Sequence, residues 1–192
     1  FLKQPSGVLW CRVQAVAISD ESGQPVRIVG EIADIDTEKR NTERLRKKAQ
    51  LDPLTGLYNA SSARKRIEAC LRQPPGAGMH VLAVIDVNHF KQINDTCGHL
   101  TGDHALIETA RRLSAMLNEG DIAGRIGGDE FIALFLDVPS RDALERRIGE
   151  LRRGLSFPLP DGLSMSASIG MAAFPDDAAD YTGLFRMADA SM

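Results

Sequence analysis

The sequence predicts an α/β sandwich, a central and mostly antiparallel sheet flanked by helices, and three observations carry that prediction. Apolar runs of strand length recur at Met79 to Val87, Asp129 to Leu136 and Met165 to Phe174, with segments of helical periodicity between them. A Gly127-Gly128 pair separates two β-rich runs, as a tight hairpin turn requires. From Met79 onward the elements read β-α-α-β-β-α-β-α. A chain of 192 residues that is 43% hydrophobic is large enough and apolar enough for a buried core.

The elements follow in order along the chain. Val8 to Ile18 and Val26 to Ile35 are rich in β-formers, and the turn-forming residues 19 to 25 make them an antiparallel hairpin. Two strands alone are marginal in water, so this pair is expected to belong to a larger sheet that begins before Phe1, with Trp10 in its core. At Thr37 the composition turns to charged helix formers, which reads as a connecting helix over residues 37–50 capped by Asp36 or Thr37. Ile35, Leu45 and Ala49 form only a thin apolar stripe, compatible with a parallel coiled coil or with a plain rigid linker. The main domain, residues 51–192, opens with a turn-rich stretch from Asp52 to Asn59 and a helix over Ala60 to Leu71 with Ile67 and Leu71 on one face. A loop at Gln73 to Gly78 leads to the strand ending in Asp86-Val87, and helices follow at Phe90 to Asp95 and His99 to Leu117. The hairpin Ile122 to Leu136, a helix over Arg141 to Leu155, the strand to Phe174 and a helix from Tyr181 complete the order.

Composition excludes several classes. With 23 Lys plus Arg against 26 Asp plus Glu, the net charge of −3 gives no basic field for polymeric nucleic acid. Cys11, Cys70 and Cys97 are odd in number and far apart, so they read as reduced packing residues instead of a disulfide framework. The apolar runs fall short of the roughly 20 residues that a membrane helix needs, and no leader opens the chain. A cytoplasmic segment with no membrane contact is expected, and both ends read as cut from a longer polypeptide, so an upstream anchor stays open.

The chemistry-bearing pattern is the placement of three carboxylates. Asp86 ends a hydrophobic strand, and Asp129 and Glu130 follow the Gly-Gly turn that opens another. Acidic groups are costly in a dry sheet unless paired or bound to a cation, and carboxylates meeting at adjacent strand ends suit Mg²⁺ with phosphate oxygens as further ligands. The bland alternative is that Asp86 caps the next helix and that Asp129 and Glu130 are solvated turn residues. Gly127 and Gly128 read as a turn needing positive φ, and equally as a place where a phosphate or base approaches bare backbone. His89, His99 and His104 lack a convergent partner set and are assigned to packing or surface.

Arg125-Ile126-Gly127-Gly128-Asp129-Glu130-Phe131 resembles the signature of GGDEF diguanylate cyclases. It is accompanied in order by Asp52 to Asn59 (DPLTGLYN), Asp86 to Asp95 (DVNHFKQIND), Gly98-His99 with Gly102-Asp103, Ser168-Ile169-Gly170 and Ala188-Asp189, each similar to a landmark of that family. The resemblance covers residues 51–192, and residues 1–36 resemble the last strands of a PAS sensor domain, ending at Asp34-Ile35-Asp36-Thr37.

The resemblance implies a dimeric enzyme that condenses two GTP into the second messenger cyclic di-GMP, each subunit holding one GTP, under control of the sensor. It implies Mg²⁺ or Mn²⁺ on Asp86, Asp129 and the Val87 carbonyl, with Glu130 completing the acidic cluster around a second ion. Asp129, Glu130 and Lys91 become the catalytic set. The amides of Asn88, His89 and Phe90 with Lys91 would meet phosphates, Gly127 and Gly128 would admit the nucleotide, and Asn94 and Asp103 would read guanine. Three departures stand out. Asn118 replaces the Arg of an Arg-x-x-Asp product-inhibition motif that keeps Asp121, Ala60 stands where Arg is usual, and Asn88 where Asp is common. A Lys and an Arg that grip the terminal phosphate in the family would lie beyond Met192. The alternative function is a non-catalytic GTP-binding regulator of a longer protein, with a phosphodiesterase domain downstream.

Overall fold

The computed structural model describes residues 2–4, 7–76, 78–159 and 162–192, and its contacts divide the chain into two units, residues 1–49 and 50–192. Among the described residues, no helix is long and apolar enough to cross a membrane.

In the first unit β1 (Leu2–Gln4) pairs with β2 (Gly7–Leu9), and β3 (Cys11–Ser19) pairs antiparallel with β4 (Pro25–Asp34). The turn between β3 and β4 is closed by the Asp20 carboxylate, which accepts from the amides of Ser22 and Gln24 at 2.9 and 3.0 Å. Trp10 departs from its expected core position: it is 46% exposed, with the Lys39 ammonium 5.5 Å above its ring. α1 (Asp36–Lys48) begins one residue earlier than expected, with Asp36 and Glu38 in its first turn. Asp34 accepts from the Asp36 amide at 2.9 Å.

The second unit is built on a five-stranded sheet. β5 (Tyr58–Asn59) leads directly into α2 (Ala60–Leu71), and β6 (Met79–Val87) into α3 (Phe90–Cys97) and α4 (His99–Ala115). β7 (Ile122–Arg125) and β8 (Glu130–Val138) form the hairpin, and α5 (Arg141–Gly154) follows. A minor pair, β9 (Phe157–Pro158) with β10 (Ser164–Met165), precedes β11 (Ala167–Phe174) and α6 (Tyr181–Ala190). The sheet order is β11-β6-β8-β7-β5, antiparallel throughout except for the parallel β5-β7 edge. This is the predicted mostly antiparallel α/β sandwich.

Alternation of side chains along the central strands creates two cores. Val81, Ala83, Ile85 and Val87 of β6 with Phe131, Ala133 and Phe135 of β8 face α4 and α5, where Leu106, Leu113, Leu144 and Leu151 meet them. Leu82 and Val84 with Ile132 and Leu134 face the other way, onto Ala63 and Ile67 of α2 and Leu184 and Ala188 of α6. Both central strands are therefore apolar on both faces, which explains their unbroken hydrophobic runs. At the edge, a Cβ on Gly124 would lie 2.5 Å from the Ala63 Cβ and 2.9 Å from the Tyr58 carbonyl. Glycine there lets β5 and α2 close against β7. Gly124→Ala is expected to destabilise the domain by about 1–3 kcal/mol through overpacking, read as a lower urea midpoint with an unchanged m-value; an unchanged midpoint would refute the close-packing account.

Candidate functional site

The C-terminal end of β6 and the N-terminal ends of β8 and β11 lie together at one edge of the sheet. The register sets Asp86 opposite Glu130 on one side and opposite Ser168 on the other. The Val87 N–H donates to the Asp129 carbonyl at 3.2 Å, so the four residues expected to hold metal are adjacent through backbone pairing. The Val87 side chain is buried in the core, leaving only its backbone to face a ligand.

Electrostatics single out Asp86. Burial, and then the charge of Asp129, raise its pKa above the ordinary aspartate value. Among the described residues no group of three or more His, Cys, Asp and Glu side chains is gathered to hold a metal ion. Glu130 turns back over its own hairpin, where a Cβ added to Gly127 would lie 2.5 Å from Glu130 Oε2, and like charges without a cation gain by separating. Glu130 also lines an open depression with Ala60, Ser61, Arg64, Ile126, Tyr181 and Phe185, on the α2 and α6 side of the sheet.

The signature glycines behave differently from the expected turn. Neither Gly127 nor Gly128 adopts positive φ. Their lack of side chains matters for space: Gly127 makes room for Glu130, and Gly128 has nothing within 4 Å of a built Cβ. The loop is held instead by Arg125, for which no role was expected. Its Nε donates to the carbonyls of Gly127 and Gly128 at 3.2 and 3.1 Å, and Nη2 to Gly128 at 2.6 Å. Its Nη1 pairs with Asp52 at 3.2 Å, and Asp52 in turn accepts from the Thr55 amide and hydroxyl at 2.8 and 2.6 Å. Burial works to raise the Asp52 pKa, but the Thr55 and Arg125 bonds outweigh it and the net direction is downward. The clue in the sequence was an arginine two residues before two glycines whose carbonyls no side chain obstructs.

At the start of α3, His89 is the N-cap residue with φ 56° and makes no side-chain capping bond. Lys91 is exposed, and Asn94 is half-buried on the same helix. A Cβ on Gly102 would collide with Asn94 Oδ1, so glycine at the start of α4 lets α3 pack close and sets Asn94 beside the turn that carries exposed Asp103. His99 and His104 are exposed, as expected for surface residues. At the far end of β8, where the Arg-x-x-Asp pattern is broken at Asn118, Asp121 is already committed. Its carboxylate accepts from the Leu136 amide at 2.9 Å, the Asn118 amide at 2.8 Å and Arg147 at 3.5 Å.

The site thus lies in a mostly antiparallel sandwich whose strand ends bring carboxylates beside a helix start. Residues 49–192 match the family described as diguanylate cyclase, GGDEF domain, and the chain belongs to the GGDEF family. It is 37% identical over 152 residues to the diguanylate cyclase DgcP of Pseudomonas aeruginosa, covering 77% of this chain and 22% of that protein. It is 33% identical over 162 residues to the cyclic di-GMP phosphodiesterase PdeR of Escherichia coli, covering 83% of this chain and 24% of that protein. A sensory box/GGDEF family protein from Caulobacter crescentus superposes with a TM-score of 0.67 at 37% identity, over 74% of this chain and 94% of that one. The chain thus spans less than a quarter of the length of these two curated relatives.

Because the folded state holds the Asp86 proton more tightly than the unfolded chain, metal-free stability falls as pH rises from about 3.9 through the folded pKa. Asp86→Asn is therefore expected to raise the thermal midpoint of the metal-free protein at pH 7 and to lose that advantage at about pH 3, where both forms are neutral. A lower midpoint than wild type at pH 7 would contradict the assignment.

Proposed function

We propose that the chain is the catalytic part of a diguanylate cyclase, joining two GTP into cyclic di-GMP with release of two pyrophosphates. The observation that carries the reading is the pairing of β6 with β8, which sets Asp86, Asp129 and Glu130 around one strand end next to the start of α3. Asp86, Asp129 and the Val87 carbonyl would hold Mg²⁺ or Mn²⁺, with Glu130 completing the acidic cluster around a second ion. These all-oxygen donors fit such an ion, and a cation would stabilise the Asp86 carboxylate, whose pKa is raised by burial and then by the charge of Asp129. When bound, the metal neutralises charge on the phosphates and helps to activate the attacking 3′-hydroxyl.

The chain's own groups do the rest. Amides of His89 and Phe90 at the start of α3 receive phosphate oxygens, the Asn88 N–H being taken by the Ser166 carbonyl at 2.9 Å, and the Lys91 ammonium adds charge there. Asn94 and Asp103 meet the guanine edge, the carboxylate accepting from N1–H and the N2 amino group, a pattern adenine does not offer. Gly127 and Gly128, held by Arg125, admit the nucleotide without a side-chain clash. One site carries one GTP, so two chains face each other to form both bonds. Residues 1–36 are read as the end of a PAS sensor sheet and residues 37–50 as the connecting helix that sets this encounter. The similarity to PdeR favours a second reading, a GTP-binding regulatory domain within a longer phosphodiesterase.

The test is incubation of the full-length protein with GTP and Mg²⁺ followed by chromatography. The cyclase reading expects cyclic di-GMP from wild type and at least a hundredfold less from an Asp129→Ala, Glu130→Ala double variant. GTP binding without product would favour the regulatory reading.

A further inference from the structure

Asn88 lies between the two carboxylate-bearing ends and the start of α3, and its amide is gripped from the neighbouring edge strand. Its backbone N–H donates to the Ser166 carbonyl at 2.9 Å, and its Nδ2 donates to Ser166 Oγ at 3.0 Å. Ser168 Oγ donates to Asn88 Oδ1 at 2.8 Å. Donor and acceptor ends of the side chain are thus both engaged, which fixes the orientation of the amide. The next residue, His89, sits in the left-handed region at φ 56° and ψ 27°, an uncommon conformation for a side-chain-bearing residue. The Ile93 amide then donates to the His89 carbonyl at 3.1 Å and the helix begins.

We propose that Asn88 is a positioning residue, clamped by Ser166 and Ser168, that holds residues 88–90 in the shape through which the amides of His89 and Phe90 meet the phosphates of the nucleotide. The proposal rests on the reading that GTP binds at the start of α3. The clamp reaches from the β10-β11 connection and β11 to the β6-α3 loop, so it ties two separate segments at the sheet edge through one backbone bond and two side-chain bonds. Without it, residue 89 relaxes toward right-handed backbone and the amides of the loop turn away from a common point. The effect falls on phosphate recognition and leaves the guanine contacts at Asn94 and Asp103 untouched. An aspartate at position 88 has no N–H to offer Ser166 Oγ and adds a third negative charge beside Asp86 and Asp129. Asparagine closes the clamp without adding that charge.

The experiment measures binding of two probes by calorimetry on the full-length protein in Mg²⁺: guanosine 5′-(α,β-methylene)triphosphate, which cannot release pyrophosphate, and guanosine, which has no phosphate. Asn88→Ala is expected to weaken the triphosphate roughly tenfold and Ser168→Ala roughly threefold, with guanosine affinity changed less than twofold. Ser168→Thr keeps the hydroxyl and is expected to bind both probes as wild type does. Thermal melting checks that each variant is folded, and Ser168→Ala decides the matter if Asn88→Ala does not fold. Folded variants that bind the triphosphate as tightly as wild type overturn the proposal. Equal loss of both probes overturns it too, because the clamp is then general support. A wild-type protein that binds neither probe removes the nucleotide reading itself, and the proposal falls with it.

Discussion

The antiparallel register between β6 and β8 is the constraint on which the rest depends. Each strand is apolar on both faces, and each face has its own helices, so the pairing satisfies two cores at once. A slip of one residue would carry Phe131 and Phe135 out of the α4 and α5 core and drive Asp86 toward it. The same register that packs Ile85 against its core thus holds Asp86 at the rim, opposite Glu130 and beside Asp129. The acidic residues occupy places that folding has already fixed, and their mutual repulsion is carried by the stability of the sheet around them.

The loops around that rim are secured by side chains instead of by turn geometry. Arg125 binds the carbonyls of Gly127 and Gly128 and anchors on Asp52, so the stretch that opens the domain and the signature hairpin form one unit. Asn88 plays a comparable part on the other side through Ser166 and Ser168. Each device includes a pair far apart in sequence, Arg125 with Asp52 and Asn88 with Ser166 and Ser168, and those bonds act only after the sheet has formed. The result is backbone presented at a site where side chains are few and charge is concentrated.

Much of this was legible in the sequence because the signals were local. The Met79–Val87 strand, the helix over Ala60–Leu71 and the hairpin flanking the glycines announced themselves by run length and periodicity. Asp86 and Glu130 were legible because acid at the end of an apolar strand is costly without a purpose. β5 was not, since two residues carry no periodicity and its parallel partner lies beyond three helices. β9 and β10 were missed for the same reason, and the strand expected from Met165 divides at residue 166 into β10 and β11. The glycine pair suggested positive φ, but the bonds from Arg125 and the nearness of Glu130 impose a different turn. The place of Glu130 against Gly127, the exposure of Trp10 and the role of Arg125 depend on tertiary neighbours that no local pattern encodes.

The most direct measurement of the central claim is a crystal structure with Mn²⁺ and the α,β-methylene analogue of GTP, using anomalous scattering to place the metal. The account predicts manganese at the carboxylates of Asp86 and Asp129, with the triphosphate against the start of α3. Manganese away from both carboxylates, or nucleotide bound at the Asn118–Asp121 turn instead, would contradict it.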